Sequence, residues 1–444
     1  MNTPSQAFTE FQSSLANLGQ NTPPDDWSDD QRMERARHVF MSRLDRRAAV
    51  DMDTCIHCGM CAEACHFYVA TQEERFTPAY KIDPLRRFYR REVSPMRLFN
   101  RLFSRKVDAD DLREWSELVF EACTGCGRCD MMCPMGINIS DNINILREGL
   151  AAAGLVPGEL RELQDEQREK NTLFGVGADE LRNVAGKLAE QGTQLPLDKA
   201  SADVLVLTTA VEIRLFPEAI AACAKIMQKS GADWTISTEA FEASNLGMIS
   251  GDKASRRSAI TRIADKAKSC GASTVVVPES GHAYQALRWE SANELGEALP
   301  FEVLAISEYV ARALKDGKLS LKPASDLGSV TYHDPCRLGR QGGIFDEPRD
   351  VLRVMGLDVR ETNSNQRESL CCGGGCGEYA ISHSARIRQQ AFDLKRHELD
   401  DTQADAVVTG CNNCRINLMI GAEKSGWDMP VISLVETVAG NLAE

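Results

Sequence analysis

Through roughly the first 200 residues, apolar positions recur at spacings of three and four, the period of an amphipathic helix. Residues 1 to about 30 are the exception. They are polar, include Pro23-Pro24-Asp25-Asp26, and predict a flexible lead-in. Helical periodicity starts near Asp29, and Arg32 to Val50 reads as a charged amphipathic helix. The pattern continues through Ile143, Leu146, Leu150, Leu160 and Leu163, then thins into a polar connector near Glu190 to Lys199. At Ala202 the period changes. Short β-branched runs begin at Asp203, Thr274, Phe301, Ser329 and Ala406, separated by helix-like stretches such as Phe216 to Lys229. Buried, mostly parallel strands alternating with helices are the expectation.

The α/β part repeats itself. Aligning Val204-Leu-Val-Leu with Val330-Thr-Tyr-His puts Ala210 at the place of Cys336 and Ser244-Asn245 at that of Cys371-Cys372. Aligning Val275-Val-Val-Pro with Val407-Val-Thr-Gly puts Glu279 at Cys411 and His282 at Cys414. The first half keeps the frame and lacks every cysteine of the second.

Composition narrows the class. At 444 residues the chain has room for two or three domains. A net charge of −14 argues against nucleic acid as the main partner. Met1 to Gln20 is polar, with no basic segment followed by an apolar run, so no signal peptide is expected, and no run reaches the ~18 apolar residues of a membrane span. The sixteen cysteines are therefore expected reduced or metal-bound in a cytoplasmic protein. Neither a glycine-rich dinucleotide fingerprint nor a phosphate loop is present, so flavin and nicotinamide are not expected on this chain.

Eight cysteines form two runs, Cys55-x2-Cys58-x2-Cys61-x3-Cys65 and Cys123-x2-Cys126-x2-Cys129-x3-Cys133. This is the bacterial two-cluster pattern, in which the fourth cysteine of each run serves the other cluster. It assigns one [4Fe-4S] cubane to Cys55, Cys58, Cys61 and Cys133, and the other to Cys123, Cys126, Cys129 and Cys65. His66 stands where a proline usually follows the run. Five more cysteines lie near the C-terminus: Cys336, the pair Cys371-Cys372, and Cys411-x2-Cys414. Adjacent thiolates suit a larger inorganic cluster better than one tetrahedral zinc.

With these motifs in place the chain resembles, over roughly residues 50 to 444, the catalytic subunits of heterodisulfide reductases, which carry cysteine-rich CCG regions. The resemblance implies a noncubane [4Fe-4S] cluster on Cys336, Cys371, Cys372, Cys411 and Cys414. The single intact motif is closer to the iron–sulfur subunit of the sulfite-reductase-associated membrane complex. An α+β multidomain fold follows, a mostly helical two-cluster ferredoxin domain and then a pseudo-repeated α/β CCG domain. The expected divisions are 1–45 (flexible segment and lead-in helix), 46–150 (two-cluster domain), 151–200 (helical connector), 201–324 (degenerate half) and 325–444 (intact half).

The function implied is an iron–sulfur oxidoreductase subunit. It would pass single electrons through two cubanes to a C-terminal cluster that reduces or forms a disulfide or trisulfide, on a sulfur-carrier protein or a small thiol. Its electron partner would be another subunit, a membrane cytochrome being one candidate, with the chain cytoplasmic or peripheral at the inner membrane face. The alternative is the electron-transfer subunit of a 2-hydroxy acid or glycerol-phosphate dehydrogenase complex feeding quinone.

Several residues are candidates for finer roles. His282, oriented by Glu279, could donate a proton to a thiolate leaving group. Cys376 could be a sixth ligand, an exchanging thiol or a buried bystander. His333 and Asp334 could tune the cluster through hydrogen bonds to its ligands. Arg337 and Arg340 could stabilise an anionic state or attract an acidic carrier. Cys223 and Cys270 are expected in the core. Between Lys81 and Lys106, nine Lys/Arg face only Asp83 and Glu92. There Leu98, Phe99, Leu102 and Phe103 share one helical face, which either packs on the domain or docks on a membrane-anchored partner or an anionic surface.

Overall fold

A computed structural model describes residues 5–20, 25–375 and 377–443. Its helical part comes first and two small parallel sheets follow, the α+β arrangement expected. The lead-in, expected to be flexible, contains a helix. Gln6–Asn17 is a helix capped by Ser5, and its Phe8, Phe11 and Leu15 are buried. Those three positions lie on one face, and Phe11 packs edge-on to Phe174 at 5.2 Å and near Tyr379 at 6.3 Å. Three apolar contacts suffice to dock a helix whose other positions are polar.

The charged helix expected from Arg32 to Val50 is two helices. Asp29–Arg43 opens with a reciprocal cap between Ser28 and Gln31, and Asp45 starts Arg46–Thr54 by accepting the Ala48 N–H at 3.0 Å. A second N-cap residue inside a periodic run restarts the helix. Asp29–Arg43 packs on Ile139–Ala152, where Gly149 lets the Phe40 ring lie directly on the backbone. Pro78–Glu92 buries Lys81, Ile82, Leu85, Arg86, Phe88 and Tyr89 beneath the cysteine runs.

The strands are β1 (Val204–Val206), β2 (Trp234–Thr235), β3 (Thr274–Val277), β4 (Glu302–Ala305), β5 (Ser329–His333), β6 (Asp358–Val359), β7 (Ala406–Thr409) and β8 (Val431–Ser433). The first sheet runs β2-β1-β3-β4 and the second β6-β5-β7-β8, all parallel. The orders are identical. Register agrees as well: Val204 pairs with Thr274, and Val330 pairs with Ala406. Equating these pairs reproduces the alignment of Ala210 with Cys336 and of Glu279 and His282 with Cys411 and Cys414. The halves also share a core, since Leu338 and Ile344 of the second pack among buried residues of the first. Cys223 and Cys270 are buried in those cores.

Candidate iron–sulfur sites

Each cysteine run opens a short helix on a left-handed glycine. Gly59 (φ 81°) precedes Met60–Ala64, and Gly127 (φ 72°) precedes Arg128–Met132. A side chain would strain that turn, so the cysteine before each glycine can curl back over the helix start. Two cavities result. One is lined by Cys55, Cys58, Cys61 and Cys133; the other by Cys65, Cys123, Cys126 and Cys129. In each cavity three cysteines of one run meet the last cysteine of the other. The first lies near the surface, with Cys58 exposed and with Ile56, Met60 and Met135 exposed around it. The second is interior.

The donors around these sulfurs fit an anionic cluster. The Gly125 N–H donates to Cys123 Sγ at 3.4 Å. Lys81, 2% exposed, reaches Cys65 Sγ at 3.4 Å, and its charged form is favoured by the surrounding thiolates even against the cost of burial. Burial pushes the Cys129 thiol well up, and Asp130 beside it adds to that. Bound iron would supply the positive charge that such thiolates need.

The five C-terminal cysteines are all buried in one cluster of side chains. Cys371 touches Cys336 and Cys372, Cys372 touches Cys414, and Cys414 touches Cys411, so the sulfurs form one continuous chain of contacts. Backbone geometry explains the adjacent pair. Gly373 adopts φ 89°, and the N–H groups of Gly373 and Gly374 donate to the sulfurs of Cys371 and Cys372, each at 3.4 Å. Cys411 is the N-cap of Asn412–Ser425 and Cys414 lies in its first turn; contact with Cys414 pushes the Cys411 thiol down, while Cys372, Cys411 and burial push that of Cys414 well up. From the degenerate half, the Gly281 N–H donates to Cys411.

The two systems meet. Cys126 of the second ferredoxin-type run contacts Cys371, and the ligating atoms of His66, Cys126 and Cys371 lie within 4.8 Å of one another. His66 is buried there, filling the place a proline would take. The ligating atoms of His333, Cys372 and Cys414 likewise lie within 4.8 Å of one another.

Residues 51–137 match the profile of the 4Fe-4S dicluster domain, and residues 330–419 match the cysteine-rich domain. One subunit of the dihydromethanophenazine:CoB–CoM heterodisulfide reductase of Methanosarcina mazei is 29% identical over 408 residues, covering 88% of this chain and 94% of the relative. The Hdr-like menaquinol oxidoreductase iron–sulfur subunit 2 of Archaeoglobus fulgidus is 26% identical, covering 78% and 72%. The chain is a homologue of these heterodisulfide reductase and Hdr-like iron–sulfur subunits. A third relative, the EtfAB:quinone oxidoreductase of Syntrophomonas wolfei, is 26% identical over 82% of this chain and 54% of that one.

Within this Hdr-like chain the finer candidates separate. Glu279 does not orient His282. Its carboxylate accepts the Val435 N–H at 3.1 Å and bonds Ser433, while its carbonyl accepts the Asn412 N–H at 2.7 Å. His282 is buried, and its Nδ1 meets no hydrogen-bond partner among the described residues. Burial, and then Arg337, push its pKa down to about 3, which disfavours the charged ring. Asp334 turns from the cysteines to a two-pronged pair with Arg349, 2.8 Å at each oxygen. Arg340 donates to the carbonyls of Cys126, Arg367 and Ser369, a strut between domains that commits three of its five N–H groups to the protein. Cys376 lies outside the described residues.

Sequence reasoning does not single out Lys81, Arg147 or Glu378. Lys81 sits in a basic run that reads as surface. Arg147 and Glu378 form an ion pair of 2.7 Å with both side chains fully buried, joining the helical part to the loop after the glycines. Their wide separation in sequence hides the pair.

Proposed function

We propose that this chain relays single electrons between a redox partner and a sulfur substrate. The path runs from the exposed set (Cys55, Cys58, Cys61, Cys133) through the interior set (Cys65, Cys123, Cys126, Cys129) to Cys336, Cys371, Cys372, Cys411 and Cys414. The contact between Cys126 and Cys371 carries this reading, because it leaves no insulating layer between the second and third sets. When bound, two cubanes would store single electrons and the C-terminal noncubane cluster would offer iron to sulfur. Cleaving the substrate S–S bond takes two electrons and two protons and yields two thiols; oxidation runs the same balance backwards. The chain's own part is to hold the sulfurs in line, to keep Lys81 and the glycine N–H groups on the thiolates, and to exclude water from the buried sets. With ligand positions replaced by Ala210, Ser244-Asn245, Glu279 and His282, the degenerate half forms a protein wall opposite the cluster. That wall favours the sulfur of a carrier protein as substrate.

The quinone-linked reading draws on the names of two relatives, an EtfAB:quinone oxidoreductase and an Hdr-like menaquinol oxidoreductase subunit. There the chain would accept electrons from a flavoprotein or quinol, and the C-terminal set would be a terminal carrier. Anaerobic iron and sulfide analysis with EPR separates the readings. About twelve irons and a new paramagnetic signal on oxidation with a thiol substrate support sulfur chemistry, at four irons per cluster. No signal with thiol or disulfide, but reduction of all clusters by a quinol, supports the other.

A further inference from the structure

The helix Arg97–Phe103 is mounted the wrong way round for a soluble surface. Its polar edge faces the protein. Asn100 donates to the Arg90 carbonyl at 2.8 Å, Arg101 Nε to the Arg91 carbonyl at 3.2 Å, and Arg91 returns a bond to the Ser104 carbonyl at 2.6 Å. Glu92 holds Arg101 at 2.7 Å. The apolar edge therefore points outward: Leu98 is 72% exposed, Phe99 56%, Leu102 79% and Phe103 76%, with Met96 beside them at 61%. No residue of this helix is buried. An amphipathic helix on a globular domain normally turns its apolar stripe to the core. Here hydrogen bonds fix the opposite orientation, and Phe99 and Phe103 pack on each other, rings 4.7 Å apart.

The rim of this knob is cationic on a chain whose net charge is −14. Arg90, Arg97, Arg101, Arg105 and Lys106 surround it, and Arg90, Arg97 and Lys106 form no ion pair among the described residues. Leucine and phenylalanine raised inside a ring of arginine and lysine match an anionic bilayer interface, with acyl chains beneath phosphate headgroups. We infer that this knob inserts into an anionic lipid surface. No helix among the described residues is long and apolar enough to cross a membrane, so the attachment would be in the plane of one leaflet.

The mount gives the attachment a consequence for electron flow. The knob is tied to the end of Pro78–Glu92, and the start of that helix lines both ferredoxin-type cavities through Pro78, Ala79, Lys81 and Ile82. Fifteen residues of helix span about 22 Å. Docking would hold the exposed cysteine set no farther than about that distance from the lipid, within the reach of a redox partner embedded in it. The inference does not depend on which reaction the C-terminal cysteines serve.

The test is flotation of the anaerobically purified iron-loaded chain with two kinds of vesicle, phosphatidylcholine alone and an equimolar mixture with phosphatidylglycerol. The chain should float with the anionic vesicles about tenfold more strongly than with the neutral ones, and salt should weaken the association. The double variant Leu102→Glu/Phe103→Glu should keep its iron and its circular dichroism and lose at least about tenfold in binding. In Phe103→Trp, brominated acyl chains should quench the indole. Absence of binding to anionic vesicles overturns the inference and leaves the knob as a protein-docking face. Undiminished binding by the double variant, equal binding to both vesicles, or an unquenched indole each overturns it too.

Discussion

Cys126 and Cys371 belong to different domains, yet their side chains are in contact, with the His66 ring against both. Arg340 secures the meeting, donating to the carbonyls of Cys126 (2.8 Å) and Arg367 (2.7 Å) and to that of Ser369. Gln341 adds a bond to the Gly125 carbonyl at 3.0 Å. The turn after Cys336 is thereby stitched to the second cysteine run, and these hydrogen bonds add to the apolar packing of Phe67, Phe76 and Ala122 on Ile387 and Ala391 in setting the spacing of the sets.

That stitching gives the first prediction. Arg340→Met removes three charge-assisted bonds while keeping the aliphatic stem. It should cost about 2 kcal/mol of stability, since part of the guanidinium is wet. Iron content should stay near that of the parent. Magnetic coupling between the interior cluster and its C-terminal neighbour should weaken in the EPR spectrum. Unaltered coupling with unaltered stability would show that the contact survives without the strut.

Lys81 tests the interior set alone. Its ammonium lies 3.4 Å from Cys65 Sγ and stays protonated in a fully buried site. A cation there stabilises the more negative, reduced cluster and so raises its potential. Lys81→Met should lower that potential by about 60 mV, the one-electron equivalent of about 1.4 kcal/mol. The exposed set should hardly move. Potentiometric titration followed by EPR resolves the two, and an unshifted interior potential would remove the electrostatic role.

His282 bears on proton supply. Burial and Arg337 disfavour the charged form of its ring. If the chain turns over a disulfide as proposed, His282→Asn should therefore leave the pH profile of that turnover in place. A changed profile in the variant would restore the proton-donor reading. Retained iron is the control that the Gly281 N–H still meets Cys411.

The cysteine runs are legible in the sequence because ligand spacing is a local property, and the repeat is legible because short parallel strands are nearly continuous apolar runs. Strands β2 and β6 are not, being two residues long and defined only by their neighbours. Phe8, Phe11 and Leu15 recur at helical spacing, but the polar residues around them and Pro23-Pro24 outweigh that signal, and the helix Gln6–Asn17 is missed. The basic helix is plainly amphipathic, but periodicity does not say which face turns inward; hydrogen bonds to Arg90 and Arg91 decide that. Glu279 occupies the position of a lost ligand. What it does there depends on Ser433 and Val435, which reach it only through the packing of the two halves.

Glu279 also sets a pH dependence. Burial pushes its pKa up to about 8, against bonds from Ser433 and Val435 that pull it down, whereas an unfolded glutamate titrates near 4.3. A carboxyl with a raised folded pKa is protonated in the fold where the open chain has already ionised, so the folded state binds the extra proton. Stability from this group is complete below about pH 4 and is lost as pH rises towards 8. Glu279→Gln keeps the shape, accepts the Val435 N–H and can donate to Ser433, and it carries no charge to bury. Thermal unfolding should therefore fall with rising pH in the parent and fall less in the variant. At about pH 9 the variant should melt a few degrees higher, each kcal/mol being worth about 2–4 °C in a domain of this size. Parallel curves for the two proteins would mean that Glu279 ionises in the fold at an ordinary pH, with the Val435 N–H and Ser433 outweighing its burial.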